Sequence, residues 1–201
     1  MLAGFGVGIA LGGAPGPVQA VLLSESSRSL GRGFRAMAGA NLTFGLLLLT
    51  VAAGLGIGSL GRGWFRLLDL AGGTLLLWLA VDGIRSSRRE SKGLPEGSPR
   101  MSAFLRGVAA VLLNPGGWLF LGTVAGSLFA AAAADGGRAS AMRSAAAMLV
   151  GLGIGDATVV VSGGIGLRRV PLEIRIWVQR ALACLLAGLG VWLLVQGITA
   201  K

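Results

Sequence analysis

Apolar residues form long uninterrupted runs along this chain, and most charged residues fall between the runs. A helix needs about 20 consecutive, mostly apolar residues to cross a bilayer, and six segments are that long. They cover residues 2–23, 36–60, 67–85, 103–134, 142–167 and 176–199. The fourth segment is longer than one crossing requires, so we expect it to be tilted or broken. The pattern predicts an all-α integral membrane protein with six transmembrane helices.

Proline and glycine interrupt two of these segments. The first contains Pro15-Gly16-Pro17, and the fourth contains Asn114-Pro115-Gly116-Gly117. Proline lacks a backbone N–H and clashes with the preceding helical turn, so each break frees polar backbone groups at membrane depth. Such groups are tolerated there only where they are buried in protein or line a watery cavity. Broken helices at matching positions in two halves indicate the binding site of a transporter.

The sequence also contains a weak internal repeat. Residues 78–84 (WLAVDGI) and 192–198 (WLLVQGI) agree at five of seven positions, in the third and sixth segments. The stretch 86–101 is the only linker-like region between apolar segments. We therefore divide the chain into two three-helix repeats, residues 1–100 and 101–201. An odd number of crossings per repeat makes the second one inverted relative to the first.

Composition and charge support a membrane protein. Charged residues make up 13% of the chain, against roughly a quarter in soluble domains, and the mean hydropathy is +0.78. The net charge of +10 would suggest nucleic acid in a soluble protein. Here the basic residues flank apolar segments, so membrane topology explains them and no nucleic-acid partner is expected. With no His and one Cys, neither a metal site nor a cofactor is expected.

The distribution of Lys and Arg predicts the orientation. The loops after the first, third and fifth segments, with their flanking turns, hold 13 basic residues, and the opposite side holds 5. Because basic residues concentrate on the cytoplasmic side, both termini are predicted outside the cytoplasm, with the chain in the cytoplasmic (inner) membrane.

Asp156 is the only acidic residue deep within an apolar segment, which makes it a functional candidate. It could bind a substrate ammonium group or couple transport to protons, or it could be a protonated Asp hydrogen-bonded across helices. Asn41 and Gln19 are weaker candidates, because intramembrane amides often join helices. Asp69 and Asp82 lie near helix ends and are predicted to be interfacial. The substrate-binding candidates are Gly12, Pro15, Gly16, Pro17, Gln19, Asn41, Asn114, Pro115 and Asp156.

Glycines at positions 4, 8, 12 and 16 recur at a spacing of four, which places them on one face of the first helix. For Gly4 and Gly8 we expect simple helix packing. For Gly12 and Gly16, packing and space for a solute are both open.

The chain resembles the lysine-exporter (LysE/RhtB) superfamily of small six-helix transporters. The resemblance rests on the glycine-rich approach to Pro-Gly-Pro at residues 12–17, the Asn114-Pro115 pair and Gly155-Asp156. It implies efflux of small solutes, most often amino acids, driven by the proton motive force, along a path flanked by the two breaks. Many relatives have Lys directly after Asn-Pro, where this chain has Gly116-Gly117. That departure leaves the substrate class open, and other branches handle metal ions or lipid-linked export.

Two other functions fit parts of the pattern. Residues 153–156 (GIGD) match the Gly-x-Gly-Asp motif of intramembrane aspartyl proteases, which need a second carboxylate. Asp82 or Asp69 would have to supply it, but Asp82 and Asp156 are expected ~12 Å apart in depth. A non-transporting accessory protein needs only packed helices. We favour a secondary-active exporter working by alternating access, for which a homodimer is compatible but not required.

Overall fold

The computed structural model describes residues 1–14, 16–54, 62–91, 101–166 and 171–199, and these are helical apart from short connections. The helices are α1 (Leu2–Gly13), α2 (Pro17–Arg28), α3 (Leu30–Ala52), α4 (Arg62–Ser91), α5 (Ala103–Leu112), α6 (Pro115–Phe120), α7 (Gly126–Gly166) and α8 (Leu172–Thr199). A π-helical segment, Leu121–Ala125, joins α6 to α7.

Within the described ranges, four stretches are long and apolar enough to cross a membrane: Leu30–Ala52, Arg66–Arg85, Pro115–Gly166 and Ile176–Thr199. The bent pair α1 and α2 adds a fifth when it is counted as one crossing. The stretch Pro115–Gly166 has 52 residues. At ~1.5 Å per residue it would be about 78 Å long if straight, more than twice the ~30 Å hydrocarbon core. It is not straight, because Gly136 and Gly137 are non-helical and Gly137 has a φ of 67°.

The second segment begins earlier than the apolar pattern predicted. The expected range was 36–60, whereas α3 starts at Leu30. The Ser29 hydroxyl accepts a hydrogen bond from the backbone N–H of Arg32 at 3.2 Å, which caps the helix ahead of its apolar portion. The residues expected at the other end, 55–60, lie outside the described part of the chain.

Glycines bring three pairs of helices into backbone contact. Gly4, Gly8 and Gly12 of α1 lie against α7 with no room for a Cβ atom. Gly39 of α3 meets α5, and Gly107 of α5 meets α3, equally closely. Between α4 and α8, a Cβ on Gly73 would lie 2.7 Å from the carbonyl oxygen of Gly190. Small residues at such contacts permit the close van der Waals packing that holds helices together in lipid.

The α4–α8 pair joins the other helices through an apolar cluster centred on α2. Ala20 and Val21 of α2 pack among buried leucines of both helices. These are Leu76 and Leu79 of α4 and Leu186 and Leu193 of α8. A second cluster joins α3, the π-helical segment and α7. Val18 of α2 packs against both clusters.

Candidate functional site

Both sequence interruptions are breaks between helices. The first separates α1 from α2, whose axes differ by 60°. At the second break α5 ends at Leu112, and Asn114 is extended before α6 begins. Pro17 and Pro115 each stand at the first helical position of the following helix, where the missing N–H costs nothing.

Side chains next to each break satisfy part of the freed backbone. At the first, Gln19 Nε2 donates to the carbonyl oxygens of Leu11 at 3.2 Å and Gly12 at 3.4 Å. At the second, Asn114 Oδ1 accepts from the backbone N–H of Gly116 at 3.1 Å. Trp118 Nε1 donates to the carbonyl oxygen of Leu112 at 2.8 Å. Gln19 and Trp118 therefore hold the carbonyl ends of α1 and α5 in place.

We expect Gln19→Leu to destabilise the protein. Leucine nearly preserves the volume but leaves the two carbonyl oxygens without their donor, which costs about 1–3 kcal/mol. The melting temperature in detergent should fall by several degrees, at about 2–4 °C per kcal/mol. The matched control is Gln196→Leu, because Gln196 is exposed on α8. Equal melting temperatures for the two variants would contradict the capping role of Gln19.

The two breaks face one cavity of about 220 Å³. Three polar side chains contribute to its wall: Gln19, Asn114 and Asp156. The rest of the lining is apolar or small, with residues of α1, α2, α3, α5, α6 and α7. The cavity is smaller than the ~300–1,000 Å³ typical of drug-sized ligand sites, which favours a small solute.

Asp156 is the ionisable residue among those that line this cavity, and it is 1% exposed. Its Oδ2 atom accepts a hydrogen bond from Asn41 Nδ2 at 3.1 Å. Asp156 Oδ1 and Asn41 Oδ1 are buried and accept no hydrogen bond from the described residues. Buried polar atoms rarely lack a partner, so this pair has acceptor capacity available for a donor that enters the cavity.

The structure brings most of the predicted site residues together. Gly16, Pro17, Gln19, Asn114 and Asp156 line the cavity, and Asn41 reaches it through Asp156. Gly12 and Pro115 are buried beside it and are not among its lining residues. Gly12 packs on α7 like Gly4 and Gly8, so packing accounts for it and Gly16 alone of the four glycines lines the cavity. Pro15 lies outside the described residues.

The interfacial prediction stays a prediction for Asp82, whose side chain is 30% exposed, whereas Asp69 is more buried than that prediction implies. Asp69 is buried, with 9% exposure, because α8 covers it near Gly197. Asp82 Oδ2 is held by Arg28 Nη2 at 3.1 Å and by Arg106 Nη1 at 2.8 Å. Asp82 and Asp156 thus have different partners on different helices and do not form the shared-proton pair of an aspartyl protease.

Sequence reasoning missed a buried ion cluster, which consists of Glu25, Arg28, Arg32, Asp82 and Arg106. Glu25 and Arg106 are each 1% exposed. Arg106 Nη1 contacts Glu25 Oε1 at 3.0 Å, and Arg32 Nη2 contacts Glu25 Oε2 at 2.9 Å. The signal was available, because Arg106 lies inside the fourth apolar segment, where a charge marks a functional candidate.

Arg106 makes two further contacts that fix its position. Its Nε atom donates to the carbonyl oxygen of Met101 at 3.2 Å. Its guanidinium carbon lies 5.2 Å from the ring centroid of Trp78, within the range of a cation–π interaction. Arg106 therefore connects α2, α4 and α5 at one place.

Comparison with known proteins identifies the family. No curated protein and no solved structure gave a significant match. A family model described as "LysE type translocator" matches residues 9–197, which is nearly the whole chain and includes both breaks, Asp156 and the ion cluster. The chain therefore belongs to the LysE-type translocator family.

Proposed function

We propose that this multi-pass membrane translocator exports a small polar solute, with an amino acid as the best single substrate class, by secondary-active alternating access. The observation that carries the proposal is the cavity shared by two broken helices and Asp156. Direction rests on family membership, because nothing in the cavity distinguishes export from import.

The chemistry of the cavity suits a zwitterion. Helix N-termini carry partial positive charge and free N–H groups, which favour a carboxylate. Gly16, the N-cap of α2, and Pro17, its first residue, lie at the wall, and no side chain caps this helix end. The Asp156 carboxyl, with one unpartnered oxygen, suits an ammonium group. A purely anionic substrate would be repelled by an ionised Asp156.

We also propose that Asp156 couples transport to protons. Among the residues that line the cavity it is the one that ionises. A carboxyl that binds either a proton or the substrate ammonium, but not both, makes the two compete for one site. Because of this competition, a proton that binds Asp156 releases the substrate, and the protein exchanges one for the other.

The pattern of helix contacts supports the proposed inverted repeat of residues 1–100 and 101–201. If the two halves are related by the repeat, the first crossing corresponds to the fourth, the second to the fifth and the third to the sixth. The α1–α7 contact would then correspond to the α3–α5 contact, and α4–α8 would correspond to itself. Asn41 and Asp156 occupy equivalent positions in this scheme, and they touch each other.

The same scheme implies six crossings, with Pro115–Gly166 passing the membrane twice. Both termini would then lie on the same side of the membrane, which the distribution of Lys and Arg predicts to be outside the cytoplasm, and the ion cluster would lie at the cytoplasmic end. Association as a homodimer stays a prediction.

A flux screen in proteoliposomes tests the proposed function. The purified protein is reconstituted with an imposed pH gradient, and amino acids and divalent metals are offered one at a time. We expect at least one amino acid to move at a rate that depends on the gradient. Transport of a divalent metal, and of no amino acid, would contradict the amino-acid proposal and would indicate the metal-ion substrates that other branches handle. Absence of flux for every solute would favour an accessory protein.

A further inference from the structure

The two half-helices α2 and α5 extend from the cavity toward the same end of the molecule. Gln19 and Asn114 line the cavity. Glu25 lies six residues after Gln19 along α2. Arg106, which is in α5, lies eight residues before Asn114 in the chain. At ~1.5 Å per residue these are distances of about 9 and 12 Å from the cavity wall. The Glu25–Arg106 ion pair therefore bridges the two half-helices beyond the cavity.

The opposite side of the cavity is closed by apolar side chains. Phe44 lines the cavity, and its ring centroid lies 6.1 Å from that of Phe120. Beyond them Leu48, Leu121 and Phe129 are almost fully buried in one cluster. One end of the path is thus sealed by charges and the other by hydrocarbon.

A buried ion pair contributes little net stability, because the cost of removing two charges from water offsets their attraction. When water enters, the desolvation cost is recovered and the pair separates easily. An apolar seal behaves in the opposite way, because opening it exposes hydrocarbon to water. The charged end is therefore the side that hydration opens at lower cost.

The cluster also holds replacement partners for both members of the pair. The second carboxylate oxygen of Glu25, Oε2, accepts a hydrogen bond from Arg32 Nε at 3.0 Å. Arg106 Nη1 lies closer to Asp82 Oδ2, at 2.8 Å, than to Glu25 Oε1, at 3.0 Å. If α2 and α5 part, Glu25 keeps Arg32 of α3, and Arg106 keeps Asp82 of α4. Arg28 of α2 also contacts Asp82 Oδ2, at 3.1 Å, so this second contact of α2 must lengthen when the Glu25–Arg106 pair separates.

We propose that Glu25 and Arg106 are the gating pair of this translocation path, closing the cavity at the end where α2 and α5 converge. The gate opens by loss of the Arg106–Glu25 contact and lengthening of the Arg28–Asp82 contact, while Arg32 keeps Glu25 paired and Asp82 keeps Arg106 paired. The inference rests on the proposed function, since a gate has meaning only for a path.

Accessibility of a cysteine in the cavity tests the gate without any transport assay. Cys184, the only cysteine, is replaced by Ser, and Val111, which lines the cavity, is replaced by Cys. A membrane-impermeant maleimide is applied from each face to sealed vesicles of known orientation. We expect slow labelling from the face of the ion cluster. Rapid labelling from that face in this background would overturn the proposal, whatever any further variant does.

Glu25→Gln and Arg106→Gln are then introduced into the same background. We expect each to raise the labelling rate from the cluster face at least fivefold and to leave the rate from the other face unchanged. Arg106→Lys, which keeps the charge, should raise it less. The matched control is Arg35→Gln, because Arg35 is exposed on α3 and has no ion pair with the described residues.

An unchanged labelling rate from the cluster face in folded Glu25→Gln and Arg106→Gln would contradict the gating proposal. An equal increase from both faces would indicate general loosening and would also contradict it. Folding is followed by the elution profile and melting temperature of each variant. The flux screen is independent of these rates, so failure of the gate and failure of the transport proposal are separate results.

Discussion

Asp156→Asn should lower proton-driven solute flux by at least about tenfold and leave the protein folded. Asparagine has nearly the same shape and can still bond with Asn41, which now holds Asp156 Oδ2 at 3.1 Å. It carries no charge, however, and takes up no proton. Loss of a hydrogen bond to a charged group costs about 1.5–3 kcal/mol, or about 10- to 150-fold in rate at 1.4 kcal/mol per tenfold. Flux into proteoliposomes with an imposed pH gradient measures the effect.

Solute exchange at equal pH on both sides separates the two proposed roles of Asp156. If the carboxyl only couples protons, exchange continues in Asp156→Asn while gradient-driven accumulation is lost. If it binds the substrate ammonium, exchange is lost too. The matched control is Asp135→Asn, because Asp135 is exposed on α7 beside the Gly136 kink. Wild-type flux and pH dependence in Asp156→Asn would remove this residue from the mechanism.

Gly8→Leu should prevent normal folding or lower the free energy of unfolding by more than about 3 kcal/mol. A Cβ on Gly8 would overlap the carbonyl oxygen of Met148 and lie 2.9 Å from the backbone nitrogen of Leu152. Overpacking costs about 1–3 kcal/mol where side chains give way. Here the obstacle is backbone, so α1 and α7 must separate along the contact that leads to Asp156. Thermal unfolding in detergent and the yield of monodisperse protein measure the loss.

The same helix supplies the control. A Cβ on Gly6 meets nothing within 4 Å, and Gly6 is exposed, so Gly6→Leu should not destabilise the protein, because Leu also has the higher helix propensity. The partner helix offers a second pair, because Gly151 abuts the backbone of α1 whereas Gly153 has no neighbour within 4 Å. Comparable losses for Gly6→Leu and Gly8→Leu would show that the close backbone contact is not what holds α1 to α7.

Much of the site could be predicted from local sequence because its signals are local. Proline interrupts a helix whatever surrounds it, so the breaks at Pro17 and Pro115 needed no knowledge of the fold. An acidic residue within a long apolar run is equally conspicuous in the sequence alone. Asp156 is a candidate on that ground, and it lines the cavity.

The ion cluster could not be assembled in the same way, because its members are distant in the chain. Glu25 and Arg106 are 81 residues apart. Glu25 lies just beyond the first apolar segment, where a charge has an ordinary explanation in contact with water, and the conspicuous position of Arg106 does not name its partners. Asp82 lies near a helix end as well, and its position in the sequence does not indicate its two partners, Arg28 and Arg106. The role of Gln19 is a similar case, since its bonds to Leu11 and Gly12 depend on how the first helix bends.

The sequence by itself determined that this chain is a helical membrane protein with two broken segments and one acid deep among apolar residues. Those features follow from hydropathy and backbone chemistry, which act over a few neighbouring residues. Only the tertiary structure decided that both breaks open on one cavity, that Gly12 serves packing and that Glu25 meets Arg106. Such outcomes depend on which helices pack together and at what angle, and contacts between distant parts of the chain set both.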